Sequence, residues 1–155
     1  MNYSLNKIFR YSDPVLRLAM GVVFLYAAWT KLTQPWTLFA MAIDAYQLLP
    51  QWAVLVAART LPWAELLLGL WLISGKWLRI SAPAASLLLL SFFVVLIRSY
   101  ARGMRIDCGC FGSGDPLSPL TLARDGGLLA ASLSLTVLAF LKARRPSAGD
   151  SRQAP

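Results

Sequence analysis

The stretch Asp-Cys-Gly-Cys-Phe-Gly at residues 107–112 holds both cysteines of the chain, Cys108 and Cys110. Thiols one residue apart have a short chemical repertoire. As thiolates they attack disulfides or bind soft metals, and when joined they close a very small ring in which unstrained disulfide geometry is hard to reach. Strained, exposed disulfides are the labile and oxidising ones. Gly109 is the residue type best able to accept the backbone angles of such a ring, and Gly112 loosens the turn that follows. The spacing therefore points to a redox-active pair that exchanges. Two other readings stand beside it: small buried hydrophobes in a tight turn, and a two-thiolate Cu(I) site, so that copper handling is a third function. Zinc is disfavoured, because it usually takes four ligands and the sequence contains no histidine. The lack of histidine also removes the commonest general base, and no phosphate loop, dinucleotide fingerprint or hydrolase triad accompanies the pair.

The elements that must position these thiols are written in the composition. Hydrophobic residues make up 57% of the 155 residues and charged residues 14%, against roughly a quarter charged in ordinary soluble domains. Four apolar stretches, at about 17–33, 53–74, 80–98 and 118–141, each come near the roughly 20 residues that cross a bilayer core as a helix. The first resembles a signal peptide, with Lys7, Arg10 and Arg17 ahead of it, but three further spans favour a retained helix. The expected fold is all-α, an integral membrane four-helix bundle forming a single domain over 1–141, with a polar tail over 142–155, disordered from Pro146 onward. Ser118-Pro119 reads as a helix start and Gly75 as a helix end. Pro62 either kinks a long second helix or starts a shorter one preceded by an interfacial segment around Tyr46 to Ala58.

Basic residues set the expected orientation. Lys7, Arg10, Arg17, Lys76, Arg79, Lys142, Arg144, Arg145 and Arg152 gather on one side, against Lys31, Arg98, Arg102 and Arg105 on the other. The positive-inside rule then places both termini in the cytoplasm of a bacterial inner membrane and the Cys108/Cys110 loop in the periplasm, a compartment that favours disulfides. The net charge of +8 is accounted for by topology and by anionic head groups, so a nucleic-acid partner does not follow. Arg98, Arg102 and Arg105 form an interfacial collar that could steer an acidic partner.

Beyond the cysteine loop, the chain carries Arg17-Leu18-Ala19-Met20-Gly21, Phe24-Leu25-Tyr26-Ala27-Ala28-Trp29-Thr30-Lys31-Leu32, Tyr46-Gln47-Leu48-Leu49-Pro50, Leu61-Pro62-Trp63-Ala64-Glu65-Leu66-Leu67-Leu68-Gly69 and Arg124-Asp125. In that order these segments resemble the methylamine-utilisation MauE family, within the DoxX-like group of small four-helix membrane proteins. CGCFG is the most specific element, and the resemblance runs from Arg17 to about Leu141. It implies an accessory role in periplasmic thiol chemistry, beside a thioredoxin-like partner and a disulfide-containing client such as a methylamine dehydrogenase subunit. Membrane thiol oxidoreductases that pass electrons to quinone share the four-helix theme but commonly use two cysteine pairs. With one pair here, either a partner supplies the second or the single pair meets both substrates. A membrane scaffold with structural cysteines is the non-enzymatic alternative.

Two further groups are candidates for the site. Glu65, within an apolar span, demands a partner, an aqueous cavity or protonation. It is expected either to pair with Arg17, Arg59, Lys31 or Arg124, or to accept a proton and so help generate a thiolate or serve a bound quinone. Arg124, just after the last helix start, could stabilise a thiolate in the loop, or simply pair internally with Asp125 or snorkel. Trp29, Trp36, Trp52, Trp63 and Trp77 read as interfacial belts. Gly21, Gly69 and Gly126-Gly127 read as close helix contacts.

Overall fold

The computed structural model describes residues 2–104, 106–109 and 116–144, and the side chains of 14–104, 106–109 and 116–141. Cys110, Gly112 and the polar tail beyond residue 144 lie outside the described residues. Five helices follow in order: α1 (Asn2–Leu32), α2 (Trp36–Asp44), α3 (Gln51–Ser74), α4 (Leu78–Ala101) and α5 (Pro119–Arg144). Four of them contain stretches long and apolar enough to cross a membrane: Pro14–Leu32, Gln51–Ser74, Leu78–Ala101 and Pro119–Leu141. The fold is the all-α bundle expected. Helix α1 packs on α3, α3 on α4, α4 on α5, and α5 returns to α1, closing a ring of four.

Polarity is distributed as a bilayer requires. Large apolar side chains such as Val22, Leu87, Val94 and Val137 face outward, while Ser81, Ser86, Ser99 and Ser132 are buried between helices. The Ser86 and Thr136 hydroxyls hydrogen-bond at 2.9 Å and tie α4 to α5, a join that needs no hydrophobic driving force. Trp29, Trp36, Trp52, Trp63 and Trp77 are all exposed.

The boundary signals hold where a physical cap was available. Gly75 ends α3 in the left-handed conformation (φ 68°), its N–H donating to the Trp71 carbonyl. At the start of α5 the Thr121 N–H donates to Ser118 Oγ at 3.2 Å, and the Ser118 N–H donates to Thr121 Oγ1 at 3.0 Å. This reciprocal pair satisfies two backbone donors at once. Pro62 lies inside one continuous α3 that begins after Pro50, so it does not start the helix. Helix α2, between the first two spans, has no counterpart in the apolar periodicity, and α1 begins well upstream of the expected position, carrying Pro14 in its interior.

The closest backbone approach at glycine joins α1 and α3. A Cβ on Gly21 would lie 3.0 Å from the Gly69 carbonyl oxygen, and a Cβ on Gly69 would lie 3.0 Å from that of Gly21. Gly126 approaches Phe93, but around Gly127 nothing lies within 4 Å, so the expected close contact at Gly127 does not form. Two substitutions should therefore move stability in opposite directions. Gly69→Ala should lower the thermal midpoint in detergent, by overpacking worth about 1–3 kcal/mol. Gly127→Ala should raise it slightly, since an unobstructed mid-helix glycine gives up roughly 0.5–1 kcal/mol relative to alanine.

Candidate functional site

At one end of the bundle, the C-termini of α1 and α4 and the N-termini of α3 and α5 surround the loop that carries Cys108. An isolated antiparallel bridge pairs Asp107 with Pro116, and the Leu117 N–H donates to the Ile106 carbonyl at 2.9 Å. The loop is thus closed at its base, and Cys108 is the first residue beyond the clamp. Gly109 has φ 67°, the left-handed geometry for which a glycine at that position was expected. A Cβ there would sit 3.4 Å from the Ala42 Cβ of α2, so α2 presses directly on the residue between the two cysteines.

Cys108 is completely buried, packed with Tyr46 and Leu96. Of the readings open for this sulfur, its burial agrees with the small hydrophobe in a tight turn: the loop folds inward because Phe92, Val95, Ile106, Leu117 and Leu122 offer an apolar seat. The Tyr46 hydroxyl donates to the Cys108 carbonyl at 2.8 Å. Tyr46 is held just past α2 by a turn in which Gln47 takes φ 50°. Sequence reasoning missed Tyr46 as a site residue; its signal was a phenol in a short apolar connection, where the ring can bury and the hydroxyl needs a partner.

Arg124 reaches the sulfur. Its Nη2 lies 3.6 Å from Cys108 Sγ, and its Nε donates to Asp125 Oδ1 at 3.0 Å. The internal pairing with Asp125 and the approach to the cysteine loop are thus made by one side chain. The arginine is partly exposed while Asp125 is buried, so the carboxylate anchors the guanidinium from the protein side and leaves it facing the thiol.

Glu65 is placed differently. Among the candidate partners it meets Lys31 of α1, with Nζ 2.5 Å from Oε1 and both side chains buried. Its other oxygen, Oε2, has no hydrogen-bond partner among the described residues. The Lys31 ammonium also lies 5.1 Å from the Phe39 ring centre and 6.0 Å from that of Phe92, within range of cation–π attraction. A cavity of about 250 Å³ joins the two halves of the site, lined by Lys31, Phe39, Met41, Ala42, Asp107 and Gly109 among others. It runs from the buried ion pair to the cysteine loop. Its size falls just below the roughly 300 Å³ at which small-molecule pockets begin.

The chain matches known proteins over almost this whole structure. A family model described as Methylamine utilisation protein MauE matches residues 10–140. The methylamine utilization protein MauE of Paracoccus denitrificans is 32% identical over 135 residues, which cover 85% of this chain and 71% of that one. The protein of the same name from Methylorubrum extorquens is 35% identical over 114 residues, 72% of this chain and 60% of that relative. No solved structure matches. Cys108, Arg124, Tyr46, Lys31 and Glu65 all fall within the stretch matched by the family model. Taken with the four membrane-crossing helices, the match establishes that this chain is a multi-pass membrane protein belonging to the MauE family.

Proposed function

We propose that the protein serves methylamine utilisation as a membrane component of periplasmic thiol–disulfide exchange, with Cys108 and Cys110 as the redox pair. The observation that carries this reading is the Arg124 guanidinium, anchored by Asp125 and set 3.6 Å from the Cys108 sulfur. A cation at that distance favours the thiolate, the form that attacks and also the form that leaves. Burial of Cys108 supports an inner role for it, with Cys110 as the sulfur that meets the partner.

Beginning from a Cys108–Cys110 disulfide, an incoming client thiolate attacks the Cys110 sulfur. The Cys108–Cys110 bond breaks and its electron pair goes to Cys108, as a thiolate beside Arg124. A second client thiolate then attacks the client sulfur of the mixed disulfide and expels Cys110. The client gains a disulfide and the pair is left as a dithiol. Reoxidation needs a disulfide from a thioredoxin-like partner, and the opposite direction of flow uses the same steps reversed. If a quinone serves instead, Lys31 is the residue that would hold its head group in the cavity beside Gly109, and the quinone would accept the two electrons. Glu65, with one unpartnered oxygen, is the group suited to take up a proton. The client is a disulfide-containing protein such as a methylamine dehydrogenase subunit. Both termini lie in the cytoplasm and the cysteine loop in the periplasm.

A second reading is favoured by the same burial: Cys108 packs as a core residue, as it would in a scaffold whose cysteines are structural. Arg124 separates the two. In purified Cys110→Ser protein, Arg124→Gln should lower the thiolate fraction of Cys108, read by its ultraviolet absorbance at neutral pH, about tenfold, with Arg124→Lys recovering part of it. Equal fractions in all three would remove the thiolate role. A membrane-impermeant thiol reagent, added to intact cells after mild reduction, should label Cys108 or Cys110 of the wild type; labelling only after the inner membrane is opened would reverse the orientation.

A further inference from the structure

The end of the bundle opposite the cysteine loop carries a second built feature that thiol exchange does not use. The N-terminal part of the first span, the end of α3, the start of α4 and the last turns of α5 enclose an open cavity of about 650 Å³, lined by Arg17, Gly75, Trp77, Leu78, Arg79 and neighbours from α4 and α5. Two guanidinium groups thus line one recess. Arg17 lies over Gly75, where an added Cβ would come within 2.6 Å of its Cζ, so the absence of a side chain at 75 is what lets the guanidinium enter. Its Nε is buried with no hydrogen-bond partner among the described residues. Neither Arg17 nor Arg79 forms an ion pair with a carboxylate among the described residues.

The recess also receives the start of α4. That helix has no acidic residue in its first turn and no side-chain cap, because Trp77 occupies the N-cap position in the left-handed conformation (φ 57°). The Ile80 and Ser81 N–H groups bond to the Trp77 carbonyl, which leaves the first-turn donors of Leu78 and Arg79 beside the arginines. Trp77 itself stacks on Trp71 with ring centres 6.4 Å apart, and its ring is largely exposed. Two uncompensated cations, helix N–H donors and an interfacial indole are the elements that bind a phosphate at a membrane surface. The position fits as well, since Pro14 and Leu78 begin their spans here and Ser74 ends one.

The geometry points to a binding site for an anionic phosphate at this end of the bundle, held by Arg17, Arg79 and the α4 N-terminus, with the head group of an anionic phospholipid as its source. Such a site would fix one rim of the bundle to the bilayer independently of the redox pair. Its occupant carries a net negative charge, which a zwitterionic lipid does not.

The full-length protein in nanodiscs of mixed phosphatidylglycerol and phosphatidylcholine, released into detergent and weighed by native mass spectrometry, tests this. Wild type should retain phosphatidylglycerol in preference to phosphatidylcholine. Arg79→Gln, an exposed position where misfolding is not expected, should lower the retained fraction about tenfold, the scale of one charge-assisted contact. Arg17→Gln should do the same, and Arg102→Gln at the opposite end should change nothing. Displacement of the lipid by millimolar inorganic phosphate would support the phosphate chemistry with the free ion as its source. Equal retention of the two lipids by wild type, or undiminished phosphatidylglycerol on the Arg17→Gln/Arg79→Gln double variant, would overturn the proposal.

Discussion

Lys31→Met should destabilise the bundle by about 3–5 kcal/mol, the scale expected when one partner of a buried ion pair is removed. The Glu65 carboxyl would then be left between α1 and α3 with neither oxygen engaged, since Lys31 supplies the bond to Oε1 and Oε2 has none among the described residues. Steady-state accumulation should fall several-fold, because that loss is a large part of the stability of a small domain. The Lys31→Met/Glu65→Leu double variant should recover most of it, as apolar replacement of both partners is often neutral or stabilising. Thermal midpoints of the single and double variants in detergent check this, and a Lys31→Met protein that melts like wild type would show that the pair contributes little. The double variant also isolates function. If it is folded and still exchanges thiols, Lys31 and Glu65 are structural only; if it is folded and inactive, one of the two acts in the chemistry, and a folded but inactive Glu65→Gln variant, with Lys31 kept, would assign proton handling to Glu65.

Membrane-spanning architecture was legible in the sequence because the bilayer enforces it through composition: apolar runs of about 20 residues leave few other fates in lipid. Gly75 and Ser118 were legible as helix ends because their signals are local. Helix α2 was not legible. Trp36–Asp44 is nine residues, too short to span, and its placement depends on Phe39 and Ala40 packing against Val54 and Ala58. The partner of Glu65 could not be chosen from the sequence either, since Lys31 is 34 residues away and only the packing of α1 on α3 selects it over Arg17, Arg59 or Arg124. Gly127 failed because neighbouring residues in a helix lie about 100° apart around its axis: Gly126 faces Phe93 and Gly127 does not. The inward fold of Cys108 stayed one reading among three for a related reason. Nothing near residue 108 in the chain announces the apolar seat that Leu96 and Tyr46 build for it.

The largest functional effect is expected at the cysteines, and there the two single variants should differ in kind. Exchange passes through a mixed disulfide, so removal of the resolving thiol leaves the attacking thiol joined to its partner. In the proposed mechanism Cys108, inside the bundle beside Arg124, is the inner thiol and Cys110 the one that meets the partner. Cys108→Ser should therefore accumulate a covalent adduct through Cys110 that disappears on reduction, while Cys110→Ser should give little or none. A two-thiolate copper site would instead lose metal with either substitution, because each removes one of two soft ligands. Client maturation should fall by an order of magnitude or more in both single variants, since neither can complete the second exchange.

The most direct measurement pairs a non-reducing gel of acid-quenched cells with a maturation assay of the proposed client, a methylamine dehydrogenase subunit, in cells carrying wild type, Cys108→Ser, Cys110→Ser or the double serine variant. The redox account predicts an adduct with Cys108→Ser, none with the double variant, and loss of maturation in all three. Full maturation with the double serine variant, accumulated to the wild-type level, would contradict it and leave the scaffold reading in its place.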